Sequence, residues 1–358
     1  MSLFDSSPFI KACRGEYTSH VPVWFMRQAG RYQPEYREVR KQYSLEEICR
    51  NPKVCFEVSK LPVQQLGVDA AILFSDIMIP IGAMGLPFEI KENVGPIVDT
   101  PIRTMADVDK LNPFQVPAKL PYVMETLNLL KSNLTVPTIG FTGAPFTLAS
   151  YMIEGGPSRS YLRTKQMMWG DTQVWNALIN KLADMIIIYL TAQVEAGAAA
   201  VQVFDSWVGS LTPRDYTLYL LPAMKRIFEG LAHLNVPLIY FGGTTGELLP
   251  LMAQTGATVV GVDYRVPLRD ARQRVGLNMA LQGNLDSAIL FAPWSEIERR
   301  TREILDEGLD TPGFIFNLGQ SLIHNNPPVD VGTLQRLTQF VHDYSTDKLA
   351  HQRAHRGV

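Results

Sequence analysis

Two arginines four residues apart, Arg27 and Arg31, sit in the stretch Met26-Arg27-Gln28-Ala29-Gly30-Arg31-Tyr32, where Ala29 and Gly30 leave space between them. At that spacing two guanidiniums can enter one cavity, and each can hold a carboxylate through paired N–H bonds. The competing reading ties both arginines to acids of their own chain, and the segment by itself does not choose. A second candidate is Asp76, flanked by Phe74, Ile77 and Met78. A carboxylate among such neighbours is partly desolvated and needs donors. Backbone N–H groups at a helix start are the common source, and a ligand carrying N–H groups is the other. Between Arg27 and Lys41 five basic residues (Arg27, Arg31, Arg37, Arg40, Lys41) outnumber two acids, Glu35 and Glu38. Taken alone, that mix reads as a solvated helix face.

These residues need elements to position them. Eight short apolar runs bounded by turn signals read as strands: 21–26, 70–74, 138–141, 200–204, 238–241, 259–262, 279–282 and 314–317. Several are apolar at nearly every position, as strands buried on both faces are. Helical patterns lie between them. Ser44 and Glu47 have capping-box spacing, and Thr212-Pro213 sets an N-cap residue before a first-turn proline. Leu182, Met185, Ile186, Tyr189, Gln193 and Ala196 trace a stripe that closes at Gly197, and a second helix over 293–307 stops at Gly308. Eightfold strand–helix alternation predicts an α/β fold, a single (β/α)8 TIM-type barrel over 1–345, with a polar tail over 346–358 that can fray. A doubly wound open sheet is the competitor, but no nucleotide fingerprint is present. Residues 85–98 read as a hairpin inserted after the second strand.

In such a barrel chemistry gathers just past the C-terminal strand ends. Arg27, Asp76, Thr142, Asp205-Ser206, Asp263-Tyr264, Asn284 and Gln320 fall there. Trp207 either lines the cavity or caps the barrel.

Composition narrows the function classes. The 358 residues are 46% hydrophobic and 19% charged, with a net charge of −2, so neither nucleic acid nor a membrane is an expected partner. No uninterrupted apolar run of about 18 residues occurs, and no secretory leader is visible. Three cysteines (Cys13, Cys49, Cys55) without C-x-x-C pairing fit a reducing cytoplasm. The six histidines show no metal-ligand spacing, so no metal is expected. Gly242-Gly243-Thr244-Thr245-Gly246 lacks a P-loop lysine and reads as a turn.

The stretch Pro22-Val23-Trp24-Phe25-Met26-Arg27-Gln28-Ala29-Gly30-Arg31-Tyr32 resembles the N-terminal signature of the uroporphyrinogen decarboxylase family. Gly140-Phe141-Thr142-Gly143-Ala144-Pro145-Phe146-Thr147 and Tyr151-Met152-Ile153-Glu154-Gly155-Gly156 resemble its second signature. Shorter matches follow in order: Phe74-Ser75-Asp76-Ile77, Phe204-Asp205-Ser206, Val260-Gly261-Val262-Asp263, Gln282-Gly283-Asn284-Leu285-Asp286 and Phe316-Asn317-Leu318-Gly319. The resemblance implies a cofactor-free, cytoplasmic homodimer that decarboxylates the four acetate arms of uroporphyrinogen III, giving coproporphyrinogen III in haem or chlorophyll biosynthesis. It implies that Arg27 and Arg31 bind substrate carboxylates, with Tyr36 and Arg40 nearby. Asp76 would sit at the centre of the macrocycle, and Tyr151 and Ser206 would hydrogen-bond to its side-chain carboxylates. The family usually carries histidine then glycine after the last strand's Asn-Leu-Gly, whereas this chain has Gln320 and Ser321. An amide can hold a carboxylate but carries no proton. His324 lies four residues further on. Two rivals remain: a related corrinoid-linked zinc methyltransferase, which needs a thiol- and histidine-rich site, and a tetrapyrrole-binding protein without turnover.

Overall fold

The computed structural model describes residues 3–91, 94–322 and 328–356. His324 therefore lies outside the described residues. The strands are β1 (Ala71–Ile72), β2 (Glu89–Lys91), β3 (Gly95–Ile97), β4 (Thr138–Gly143), β5 (Ala200–Asp205), β6 (Leu238–Gly242), β7 (Val259–Gly261), β8 (Ala280–Leu285) and β9 (Phe314–Leu318). β1 and β4 to β9 form one parallel sheet in which each strand pairs with the next in the chain. β2 and β3 form a separate antiparallel pair. The residues of β4, β6, β8 and β9 are buried throughout, as the unbroken apolar runs foretell. This is an α/β fold with a curled parallel half-barrel, consistent with a TIM-type barrel.

The stretch 21–26 is not the full strand its composition predicts. It makes a single parallel bridge, Val23 to Phe316. Side chains take the place of ladder partners there. The Val23 N–H donates to Asp69 Oδ2 (2.7 Å), and the Met26 N–H donates to Asn317 Oδ1 (3.1 Å). The stretch still links the two ends of the sheet. Phe316 N–H donates to Pro22 O at 2.9 Å, and Asp69 N–H donates to Val23 O at 2.7 Å.

The N-terminal ends of the strands are closed from below. Helix Pro8–Cys13, capped by Ser7, packs Phe9, Ile10 and Ala12 with Phe4 against Trp24, Ile139, Ile239, Val259 and Ile315. Above that layer a polar chain crosses the interior: Trp24 Nε1 donates to Gln282 Oε1 (2.9 Å), and Gln282 Nε2 donates to Gln202 Oε1 (3.1 Å). Nearer the C-terminal ends, Phe141, Phe204 and Phe241 meet edge to face, with ring centroids 5.5 and 6.2 Å apart.

The outer helices follow their capping signals. Ser44 and Glu47 form the reciprocal capping box, and the Thr212 side chain accepts from Asp215 N–H. The longest internal helix, Thr172–Glu195, buries Leu182, Met185, Ile186, Tyr189 and Gln193. By length and composition it passes as a membrane span, yet half of its most apolar window is buried within the fold. Helix Trp294–Gly308 includes Gly308 rather than stopping before it. A Cβ at that position would fall 2.4 Å from the Phe314 ring, so packing against β9 explains the glycine. The last helix, Val331–Arg356, runs on past position 346. Within it Ser345 Oγ accepts from Val21 N–H at 2.9 Å, Leu349 is buried, and Lys348 pairs with Asp306.

Candidate active site

The loop after residue 26 is held by amides. Gln28 Oε1 accepts from Phe25 N–H (3.1 Å), while Gln28 Nε2 donates to Ala70 O (3.0 Å). Tyr32 Oη donates to Gln28 O at 2.5 Å, and Gln33 Oε1 accepts from Gly30 N–H at 3.1 Å. Arg37 clamps the same turn by donating to Arg31 O and Tyr32 O. The loop thus places Arg27 and Arg31 at exposed positions, with Arg27 in the left-handed backbone region at φ +60°. Of the five basic residues, Arg37 serves the loop and Lys41 pairs with Glu38 at 2.7 Å. Arg40 reaches Tyr36, whose buried hydroxyl has its pKa raised by burial despite that guanidinium. Arg40 Nε itself is buried without a hydrogen-bond partner. Tyr36 packs on Phe74, centroids 5.6 Å apart, which joins helix Pro34–Gln42, bearing Tyr36 and Arg40, to the segment bearing Asp76.

Asp76 follows β1. Its Oδ1 accepts from Met78 N–H at 2.8 Å, at the start of helix Ile79–Met84. The helix-start reading therefore holds for one oxygen. For Oδ2 no hydrogen bond is seen among the described residues. Burial raises the Asp76 pKa above the ordinary carboxylate range, while the Met78 N–H and the charge of Arg27 pull it back. Next to it, Ser75 Oγ is buried without a partner.

Helix Pro145–Glu154, which follows β4, supplies Tyr151. Its hydroxyl pKa is pushed up to about 12, first by burial and then by the negative charge of Asp76, with Arg27 acting the other way. Arg27, Asp76 and Tyr151 thus share one electrostatic neighbourhood. Tyr151 stacks on Trp207 at 4.1 Å and Tyr161 lies 5.3 Å from the same indole, so Trp207 lines an aromatic wall. Ser206, just past β5, is exposed. Beneath it Asp205 is fully buried, accepting from Thr147 Oγ1 (2.7 Å) and Tyr240 Oη (3.0 Å). Burial raises its pKa to about 6, and the neutral donors, the two hydroxyls and the Thr147 backbone, only partly offset it. Gln320 is turned to protein partners, with Nε2 donating to Asp286 Oδ1 (3.1 Å) and Ser287 Oγ (2.9 Å).

The residues brought together share the C-terminal strand ends, though Arg31, Tyr36 and Arg40 approach from a helix and its leading loop. Gln28, Tyr32 and Gln33 were not singled out from the sequence, although they shape the arginine loop. Their signal lay inside the same motif, as polar residues bracketing Gly30. The expected turn over 242–246 is observed, with Thr244 N–H donating to Asp263 Oδ2 at 2.8 Å. Cys49 and Cys55 are buried beside Phe74 O, to which the Cys55 thiol donates at 3.1 Å. The histidines, without pattern along the chain, do cluster in space: His20 and His342 flank Asp69 at the opposite ends of the strands.

Comparison with known proteins follows the same positions. The family model described as uroporphyrinogen decarboxylase matches residues 5–344. A uroporphyrinogen decarboxylase of Geobacillus sp. (strain WCH70) is 52% identical over 349 residues, covering 97% of this chain and 100% of the relative. That of Bacillus subtilis (strain 168) is 52% identical over 341 residues, covering 95% and 96%. Among solved structures, a methyltransferase from Methanosarcina mazei superposes with a TM-score of 0.79 at 20% identity, covering 95% of this chain and 98% of that one. A B12-independent methionine synthase from Shewanella sp. W3-18-1 gives 0.60 at 12% identity, covering 86% and 91%. These two likenesses show shared fold alone.

Proposed function

The chain belongs to the uroporphyrinogen decarboxylase family and catalyses decarboxylation in porphyrin biosynthesis; from that premise we propose how its residues divide the work. The fold is read as one (β/α)8 barrel, with residues 21–26 as the eighth stave and the β2–β3 hairpin as an insertion beside the mouth. The substrate is uroporphyrinogen III, whose four acetate arms become methyl groups to give coproporphyrinogen III.

The observation that carries the reading is Asp76. One oxygen is anchored to backbone, and the other has no hydrogen bond among the described residues, beside a cationic loop. An ionised carboxylate only accepts. The reduced, flexible macrocycle can tilt four pyrrole N–H groups to one face, where a single carboxylate accepts them together. Arg27 and Arg31 hold the acidic arms, assisted by Tyr36, Arg40, Tyr151 and Ser206, while Gln320 steadies the rim through Asp286.

Protonation of a ring carbon next to the acetate arm makes the pyrrole cationic. The arm's C–C bond then breaks, its electron pair neutralises the ring, and CO2 departs. A proton adds to the methylene carbon, the ring proton is lost, and one proton has replaced one CO2. Asp76 stabilises the cationic stage, and a fixed charge so placed contributes about 3 kcal/mol or more. An arginine is a poor acid at its usual pKa, so a water held by Arg27 or Arg31 is assigned the delivery. The enzyme is placed in the cytoplasm as a homodimer.

Incubation with uroporphyrinogen under reducing conditions in the dark tests the assignment. Products with seven, six, five and four carboxylates support it. Tight binding of the tetrapyrrole with no CO2 release would mark a binding protein instead.

A further inference from the structure

His20, Asp69 and His342 meet at the N-terminal ends of the strands, away from Arg27 and Asp76. His20 precedes the stretch that links the sheet ends, Asp69 precedes β1, and His342 projects from the last helix. His20 Nε2 lies 3.0 Å from Asp69 Oδ1, and His342 Nε2 lies 2.7 Å from Oδ2. The two imidazoles cross at 62° with centroids 4.5 Å apart. One ligand atom from each of the three residues lies within 4.8 Å of the others. The side chains keep 22%, 13% and 22% of their surface, so the cluster is sheltered yet reachable from solvent.

We propose that His20, Asp69 and His342 form a binding site for a divalent cation of the zinc type, with water as the fourth ligand. Two imidazoles and one carboxylate match zinc better than calcium or magnesium, which prefer all-oxygen shells. The carboxylate is oriented in advance by the Val23 N–H, which donates to Oδ2 at 2.7 Å. Without metal each imidazole donates from Nε2 to Asp69. On binding, the neutral rings carry the proton on Nδ1 and turn the Nε2 lone pair to the cation, with no net proton change. His20 Nδ1 then donates to Ser19 Oγ, already 3.0 Å away, the kind of outer contact that fixes a ligating histidine. Small side-chain shifts bring the ligand atoms to zinc bonding distances of about 2.0–2.2 Å. The cation would fasten the chain's early loop, the edge of β1 and the C-terminal helix to one another.

Calorimetry of the chelator-treated full-length protein with zinc chloride tests this, with cobalt(II) as a ligand-field probe. The expected result is one zinc per chain, a visible cobalt band, and a thermal midpoint raised by several degrees at saturation. His20→Gln and His342→Gln should each weaken zinc binding by about 100-fold or more, beyond the roughly 10–100-fold seen for outer contacts. Gln keeps an N–H donor for Asp69, so both variants are compared by circular dichroism to verify folding. His233→Gln, an exposed histidine before β6 whose ring bonds to Gly230 O, should bind as the parent does. No binding at millimolar zinc, or binding undiminished in both folded variants, overturns the proposal.

Discussion

At the scale of single residues, two carboxylates, Asp76 half-buried and Asp205 fully buried, behave differently because their partners differ. Asp76 has a backbone donor on one side and Arg27 in its field. Among the described residues, Asp205 has only neutral donors, the Thr147 and Tyr240 hydroxyls and the Thr147 backbone, and no nearby cation. Asp76→Asn keeps an oxygen for the Met78 N–H, so the protein should fold. Its kcat should fall about 100-fold or more, the equivalent of about 3 kcal/mol, in single-turnover assays. Burial raises the Asp76 pKa, and the ionised form is the one that receives N–H donors. The parent's kcat/KM should therefore fall as pH drops through that raised pKa, and Asp76→Asn should lose this acid limb. Asp205 gives a stability prediction of opposite sign to the usual salt-bridged acid. Its folded pKa of about 6 exceeds its unfolded value, so ionisation in the fold is penalised and stability declines as pH rises from about 4 through 6. Asp205→Asn should lose that decline. Urea denaturation should find the variant gaining about 2 kcal/mol relative to the parent between pH 4.5 and pH 7.5.

At the scale of elements, the rim depends on close approach between neighbouring loops. Gly319, just past β9, faces the start of the loop after β7, where a Cβ would fall 2.2 Å from Tyr264 N and 2.5 Å from its Cα. Backbone cannot yield as a side-chain tip can, so Gly319→Ala should destabilise by about 1–3 kcal/mol in thermal or urea unfolding. Gln320, next in sequence, bonds to the loop after β8. Gln320→His should alter KM more than kcat in steady-state assays, and a 100-fold rise in kcat would assign that position to the chemical step. The strands were legible because apolar runs covered on both faces carry a strong local signal. The stretch 21–26 carried that signal too, but Asp69 and Asn317 side chains answer its N–H groups, a substitution no local pattern reveals. The arginine loop and Asp76 were legible as residue types at strand ends. The grouping of His20 and His342 around Asp69 was not, since the partners lie 49 and 273 residues from Asp69.

At the scale of the whole molecule, large apolar side chains remain exposed on the same side as the candidate site. Leu162 (59%), Trp169 (53%) and Leu218 (56%) stand on helices Leu162–Gly170 and Pro213–Tyr219, which follow β4 and β5. Trp169 Nε1 reaches across to Asp215 Oδ1 at 3.3 Å, making the two helices one surface. We propose these exposed apolar groups as contacts of the homodimer, for which sedimentation should give a particle of twice 40.1 kDa.

The helix lodged under the strands, Pro8–Cys13, has a further consequence for traffic. Among the described residues, Phe4, Phe9 and Ile10 stopper the lower end, so on the proposed reading the site opens only at the C-terminal ends of the strands. Carbon dioxide should then leave by the route through which the proposed tetrapyrrole enters, past its parent ring.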